Sequence, residues 1–165
     1  MTILLFCYSK TVITYISKAK KEGKNFTVIV METRPNFTGR MTAKALLKLK
    51  ITTTLVTDMV GLLLLPTANL ILIGADIIAK NGDIINKVGT SVLCQLAHLY
   101  HVPVYCCADA SKHSQENYTA HQTIKTRPLR EVFTKTPKGL TVLNPAYDVT
   151  ERKKITGVLD GNKEE

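Results

Sequence analysis

The segment GADIIAKNGDIINKVGT, which runs from Gly74 to Thr90, decides the fold of this 165-residue chain. It follows an apolar run, Asn69 to Ile73, and precedes a long amphipathic segment that ends near His101. We therefore expect a buried strand, then a turn that carries an acid, two glycines and an Asn-Lys pair, and then a helix. In open parallel sheets, ligands bind at such turns, outside the carboxyl ends of the strands.

Short apolar runs alternate with helical periodicity along the rest of the chain. The predicted strands are Thr2 to Cys7, Phe26 to Met31, Thr53 to Val56, Leu70 to Ile73, Val102 to Cys107 and Thr141 to Leu143. The predicted helices follow Ser9, Gly39, Asp58, Asp83 and Thr150, and residues 108–137 form an irregular excursion. This alternation predicts one α/β domain over residues 1–165, with a Rossmann-like, doubly wound, mostly parallel sheet and helices on both faces.

The pair Asn86 and Lys87 is predicted to lie in the first turn of the helix that Asp83 caps. Free backbone N–H groups, the positive end of the helix dipole and a lysine ammonium together form a site for an anion such as phosphate. Gly89 would then lie inside the helix, at a cost of about 1 kcal/mol relative to alanine. The spacing matches neither GxGxxG nor a Walker A loop, so no nucleotide cofactor is indicated.

Cys7 and Asp76 are predicted to face each other. In a doubly wound sheet the first and fourth strands are neighbours at the topological switch point, and these two residues follow them. A thiol and a carboxyl so placed can act as general base and acid, although a small buried thiol and a turn acid are equally compatible with the pattern. Arg34 and Arg40 bracket the loop after the second strand, where they could hold a phosphate or remain solvated.

Composition limits the classes of function. The formal charge is +9, from 22 basic and 13 acidic residues, which favours phosphorylated partners, either sugar phosphates or RNA. No apolar run reaches the roughly 18 residues of a membrane span and no signal peptide opens the chain, so we expect a cytoplasmic protein without membrane contact. The four cysteines are then core thiols or site residues. Cys94, His98 and His101 share a helical spacing, but they lack a fourth ligand nearby, and we predict no metal site.

Five motifs occur in the order found in one superfamily. They are ILLFCYSKTV from Ile3, ETRPNFTGRMTAKAL from Glu32, GADIIAKNGDIINKVGT from Gly74, VPVY from Val102 and NPAYDVT from Asn144. The chain resembles the C-terminal Rossmann-like domain of the initiation factor 2B alpha/beta/delta family, to which ribose-1,5-bisphosphate isomerase and methylthioribose-1-phosphate isomerase are similar. We expect the helical N-terminal domain of that family to be absent from these 165 residues.

The resemblance implies roles for individual residues. Cys7 and Asp76 match the catalytic cysteine and aspartate of the isomerases, and Asn86 and Lys87 match a pair that contacts substrate. The loop from Arg34 to Arg40 matches a loop at the same site. The implied reaction converts the aldose form of a sugar 1-phosphate into a ketose.

Departures from the family pattern restrain the enzyme interpretation. Leu5 and Phe6 replace a Thr-His pair before the cysteine. Thr38 stands where methylthioribose enzymes carry a substrate-binding glutamine, which argues against that substrate. The helical N-terminal domain, which supplies arginines to the substrate phosphate in the family, is also expected to be missing.

Three functions from different classes remain open at this point. The first is an initiation factor 2B-like assembly module that binds a phosphorylated small molecule and pairs as a homodimer or hetero-oligomer, with initiation factor 2 subunits as further partners. The second is a sugar-phosphate isomerase, and the third is a basic RNA-binding domain. The expected absence of the N-terminal domain favours the first, and the set of Cys7, Asp76, Asn86 and Lys87 favours the second; we prefer the first narrowly.

Overall fold

The computed structural model describes residues 1–118 and 125–160. In chain order the strands are β1 (Thr2–Leu5), β2 (Thr27–Met31), β3 (Thr53–Val56), β4 (Leu70–Ile73), β5 (Ile77–Ile78), β6 (Ile84–Lys87), β7 (Val104–Ala108), β8 (Tyr147–Thr150) and β9 (Gly157–Asp160). The helices are α1 (Lys10–Lys21), α2 (Thr38–Lys48), α3 (Asp58–Leu64) and α4 (Thr90–Leu99). None of the helices in these residues is long and apolar enough to cross a bilayer.

Six parallel strands form the central sheet, in the order β3-β2-β1-β4-β7-β9. The chain runs outward from β1 to β3, returns to β4 beside β1, and then runs outward on the other side. This confirms the predicted doubly wound α/β fold and places its switch point between β1 and β4. The carboxyl ends of these two strands therefore border one crevice.

Alternate residues of the central strands enter separate cores on the two faces of the sheet. In β1, Ile3 and Leu5 pack with Val12 and Ile16 of α1 on one face. Leu4 belongs to the core on the other face, which includes residues of β4, β7 and α4. Both cores are buried, which explains why the strands are continuous apolar runs.

Cys94, Cys106 and Cys107 are buried core thiols. Desolvation is the main reason that the pKa of each rises to about 12. These thiols are therefore protonated near neutral pH and serve as small apolar side chains.

A second, three-stranded sheet in the order β5-β6-β8 corrects the prediction for residues 83–89. Ile84 to Lys87 form a strand and not the start of a helix, because β6 pairs antiparallel with β5 on one side and with β8 on the other. Asp83 does not cap a helix: its carboxylate accepts hydrogen bonds from the backbone N–H of Arg152 and the amide of Asn81. Gly89, at φ 104°, is the N-cap of α4.

The C-terminal predictions are also wrong in detail. Residues 141–143 form no strand, and the backbone instead becomes extended at β8. Thr150 ends β8, and the predicted final helix is a single 3-10 turn over Arg152–Lys154. The chain then returns to the main sheet as β9, beside β7. This last strand hydrogen bonds to Tyr105–Ala108 and so completes the sheet edge.

Gly39 allows the close approach of α2 to β2. A Cβ at this position would lie 1.8 Å from the Met31 carbonyl oxygen, and backbone atoms cannot yield as a flexible side chain does. We expect Gly39→Ala to lower the free energy of unfolding by about 3 kcal/mol or more, measured by urea denaturation.

Gly139→Ala is the matched control for this prediction. Gly139 has φ 87°, but nothing lies within 4 Å of its added Cβ. The variant should therefore lose about 1–2 kcal/mol, from backbone conformation alone. Equal losses in the two variants would contradict the role of the close contact at Gly39.

Candidate functional site

A cavity of about 460 Å³ lies outside the carboxyl ends of β1 and β4, at the switch point. Its walls are formed by Cys7, Tyr8, Ser9, Lys10, Thr11, Gly74, Ala75, Asp76, Asn86, Lys87, Asp109, Lys112, Arg127, Ala146 and Tyr147. The structure thus brings four of the six predicted site residues together: Cys7, Asp76, Asn86 and Lys87. Four cations and two carboxylates occur in this set, so the cavity suits a negatively charged ligand.

Cys7 lies in a turn that hydrogen bonds hold on both sides. Its φ of 70° is in the left-handed region, which residues other than glycine adopt at a cost. Its backbone N–H donates to Thr33 Oγ1 at 2.8 Å, and its carbonyl accepts from Thr42 Oγ1 at 2.9 Å. Cys7 Sγ lies 3.4 Å from Thr38 Oγ1. The thiol is therefore held at the cavity wall, half-buried.

Asp58 fixes the loop between β2 and α2. Its carboxylate accepts hydrogen bonds from the backbone N–H groups of Thr33 and Arg34, both at 2.7 Å. The prediction that Asp58 caps α3 is wrong, since Thr57 is the N-cap residue there. Asp58 instead supports the loop that contacts Cys7.

Asp76 lies in the turn between β4 and β5. Its backbone N–H donates to the Ile85 carbonyl at 3.0 Å, which fixes the turn to β6. The residue is exposed to solvent, yet the cavity walls desolvate its carboxyl enough to raise the pKa above its ordinary value. Lys112 and Lys87 act in the opposite direction. A carboxyl with a raised pKa that lines the same cavity as a thiol is suited to proton transfer.

Lys87 is a buried lysine, only 8% exposed, at the end of β6. Its ammonium donates to Asn36 Oδ1 at 3.2 Å, and desolvation lowers its pKa, opposed chiefly by Cys7. Its neighbour Asn86 is also buried and donates to Thr90 Oγ1 at 3.2 Å. The pair therefore reaches the cavity from a strand end, and not from the predicted helix.

The N-terminus of α4 is occupied by the protein itself. Asp148 accepts hydrogen bonds from the backbone N–H groups of Gly89 at 2.7 Å and Ser91 at 3.1 Å. A carboxylate thus fills the anion position that we predicted for this helix.

The N-terminus of α1, in contrast, lines the cavity. Ser9 caps this helix as predicted, accepting from Val12 N–H at 3.3 Å. Ser9, Lys10 and Thr11 all belong to the wall. An anion in the cavity therefore meets the positive end of the α1 dipole.

Arg34 and Arg40 are not among the residues that line the cavity. Both guanidinium groups pack on the Phe37 ring, at 4.7 Å and 3.9 Å from its centroid. Arg40 also forms an ion pair with Glu32 at 3.1 Å. Their structural contacts are cation–π and ion-pair interactions within the loop after β2.

Several cavity residues escaped the sequence interpretation, among them Lys10, Lys112, Arg127 and Tyr147. Lys10 could have been found, because it follows the Ser9 cap of the helix that begins beside Cys7. Lys112 and Arg127 lie in the irregular excursion, where periodicity carries no information. No group of three or more His, Cys, Asp or Glu residues that could hold a metal ion occurs in residues 1–118 and 125–160, and Cys94 is buried in the core.

Comparison with known proteins identifies the class to which this fold and site belong. Residues 1–160 match the model of the initiation factor 2 subunit family, and the chain belongs to that family.

Two curated isomerases and one solved structure illustrate the similarity. The chain is 35% identical to a ribose 1,5-bisphosphate isomerase of Methanocaldococcus jannaschii over 96% of this chain and 52% of that protein. It is 38% identical to a methylthioribose-1-phosphate isomerase of Caldanaerobacter subterraneus over 90% of this chain and 46% of that protein. The translation initiation factor eIF-2B of Pyrococcus horikoshii superposes with a TM-score of 0.85 at 29% identity, covering 95% of this chain and 55% of that one.

The chain therefore spans about half the length of the curated relatives it matches. The family resemblance inferred from the five sequence motifs is confirmed.

Burial of Asp148 predicts a pH dependence of stability. Desolvation raises its pKa from 3.8 to about 6, although the amides of Ser91 and Gly89 act to lower it. The native state therefore holds this proton more tightly than the unfolded chain. The resulting stabilisation is complete below pH 3.8 and is lost as the pH rises to about 6.

Asp148→Asn tests this dependence, because the amide does not titrate. Relative to the variant, the wild type should lose about 2 kcal/mol of unfolding free energy across that window, allowing for partial solvent screening. Urea denaturation at several pH values measures it. Parallel profiles for the two proteins would contradict a raised pKa at Asp148.

Proposed function

We propose that the cavity binds a sugar phosphate and that its acid–base pair supports aldose–ketose isomerisation. The observation that carries the proposal is that Cys7, Asp76 and Lys87 line one cavity at the switch point. The similarity to ribose 1,5-bisphosphate and methylthioribose-1-phosphate isomerases supports the same class of substrate.

The chemistry needs one group that donates a proton and one that accepts a proton. The acid protonates the ring oxygen as the bond between C1 and that oxygen breaks. The base removes the proton from C2 and returns it to C1, and the C2 hydroxyl gives its proton back to the acid as it becomes the ketone. We assign the first role to Asp76, because its raised pKa keeps a larger protonated fraction than an ordinary aspartate has. We assign the second to Cys7, whose thiolate would lie near the Lys87 ammonium. No redox change or added water is needed.

The phosphate is assigned to the basic end of the cavity. Lys10 and the first backbone amides of α1 supply charge and directed donors, and Lys87 and Lys112 add two ammonium groups. Thr38 Oγ1 lies against Cys7 Sγ, where the methylthioribose enzymes are expected to carry glutamine. We therefore favour ribose 1,5-bisphosphate over methylthioribose 1-phosphate as the substrate.

Assembly is the second function proposed, in line with the similarity to eIF-2B. The observation that favours it is an apolar surface on α3, where Met59 is 75% and Leu63 is 76% exposed. Leu55 of the edge strand β3, which directly precedes α3 in the chain, is also exposed. Apolar patches of this kind mark interfaces. The α3 surface is thus proposed to pair with a second copy or a related subunit.

Ligand binding tests the first proposal. At about 100 times its dissociation constant, ribose 1,5-bisphosphate should stabilise the fold by roughly 2.7 kcal/mol, measured as a shift in the unfolding curve. Cys7→Ser and Asp76→Asn should retain binding and lose turnover, followed by the formation of the ketose in NMR spectra. Glu116→Gln, which alters an exposed carboxylate, is the control and should leave both unchanged. Absence of both stabilisation and turnover in a folded wild type would refute the proposal.

Sedimentation tests the assembly proposal. The wild-type chain should form a dimer at micromolar concentration, and the double variant Met59→Lys, Leu63→Lys should sediment as a monomer, because two buried charges would oppose the interface. Leu143→Lys changes a residue that is 81% exposed elsewhere and should leave the dimer intact. A monomeric wild type, or a dimer that persists in the double variant, would exclude the α3 interface.

A further inference from the structure

Arg127 reaches the cavity from the irregular excursion that follows β7. Its backbone is fixed by a short antiparallel pairing: Arg127 N–H donates to the Asn144 carbonyl, and Ala146 N–H donates to the Lys125 carbonyl, both at 2.8 Å. Ala146 and Tyr147 on the paired segment line the same cavity. The position of Arg127 is therefore set by the segment that leads into β8, through the isolated bridge between Thr126 and Pro145.

Glu131 orients the guanidinium of Arg127. The two side chains form a bidentate pair, Nε to Oε2 at 2.9 Å and Nη2 to Oε1 at 2.7 Å. This contact uses one edge of the guanidinium and two of its five N–H groups. Within the described residues no contact uses the remaining edge, formed by Nη1 and the second Nη2 hydrogen. That edge has the spacing of two phosphate oxygens.

Glu131 also links Arg127 to the lysine of the site. Its carboxylate accepts from Asn144 Nδ2 at 3.1 Å and from the side chain of Asn36. The Oδ1 of Asn36 accepts from Lys87 Nζ. Arg127 and Lys87 thus belong to one hydrogen-bonded network that joins four separate segments of the chain, and the Glu131 carboxylate at its centre is shared by several donors.

We propose that Arg127 is a ligand-binding residue, which contacts a phosphate group of the sugar phosphate through the Nη1/Nη2 edge of its guanidinium, the edge that no described residue contacts. This inference rests on the function proposed above and extends it to a residue outside the five sequence motifs. Because the Glu131 carboxylate already fixes the guanidinium of Arg127, that side chain loses little conformational entropy when it binds an anion. Its hydrogen bonds therefore contribute more to the binding free energy.

Calorimetric titration with ribose 1,5-bisphosphate tests the role of Arg127. Arg127→Ala should weaken binding at least tenfold, because a two-point charged contact is lost. Arg127→Lys keeps the charge and loses the fork, and should be intermediate. The matched control is Arg130→Ala, an exposed arginine in the 3-10 turn Leu129–Glu131 just after Arg127, which should bind as the wild type does. Circular dichroism and the thermal midpoint show whether each variant is folded.

Inorganic pyrophosphate, titrated into the same proteins, separates this inference from the proposed function. If the wild type binds pyrophosphate but not the sugar bisphosphate, and Arg127→Ala weakens pyrophosphate binding, the anion contact stands and the proposed substrate is wrong. If folded Arg127→Ala binds both probes as tightly as the wild type, Arg127 is no ligand residue. If Arg127→Ala does not fold, Arg127→Lys is measured instead. A folded Arg127→Lys variant that binds both probes with wild-type affinity would also show that Arg127 does not bind the ligand. A wild type that binds neither probe refutes both ideas.

Discussion

A pair of hydrogen bonds at Thr33 connects the site to the sheet. The Cys7 amide donates to the Thr33 hydroxyl, and the Thr33 amide donates to Asp58. These residues follow β1, β2 and β3, so one threonine joins the carboxyl ends of three neighbouring strands. Both Cys7 and Thr33 have positive φ, and such conformations persist only where surrounding contacts impose them. The position of the thiol is thus a property of the sheet edge.

Desolvation shifts the pKa values of two groups in the cavity at this sheet edge, Asp76 and Lys87. It raises the pKa of Asp76 and lowers that of Lys87, so each group moves towards neutral pH from its own side. The opposite charges nearby limit both changes, since Lys87 lowers the pKa of Asp76 and Asp76 raises that of Lys87. Partial burial in the walls of one cavity is the common cause. Ligand entry would remove further water and strengthen every charge–charge interaction within it.

The central sheet could be predicted from sequence because its strands are buried on both faces and are therefore unbroken apolar runs. Leu70 to Ile73 and Thr53 to Val56 have the predicted bounds. Asn86 and Lys87 were predicted as site residues on the wrong element. The isoleucines at positions 84 and 85 suit a helix or a strand, and the choice depends on pairing with Ile77–Ile78 and with Tyr147–Thr150, more than 50 residues later. Local periodicity contains no record of such a partner.

The contact of Asp148 with the N-terminus of α4 was also missed, because it too depends on a distant part of the chain. This contact explains why the N-termini of α1 and α4 differ. A helix start attracts an anion wherever its amides are free, and the sequence interpretation assigned that role to the helix after Asp83 and not to α1. The return of the chain through Asp148 satisfies the amides of α4, and the same return places Ala146 and Tyr147 on the cavity wall. One segment therefore closes one anion site and helps to build the other. Within the NPAYDVT motif, Asp148 accepts hydrogen bonds from the first amides of α4 and so stabilises that helix. Ala146 and Tyr147 of the same motif line the cavity that the N-terminus of α1 also borders.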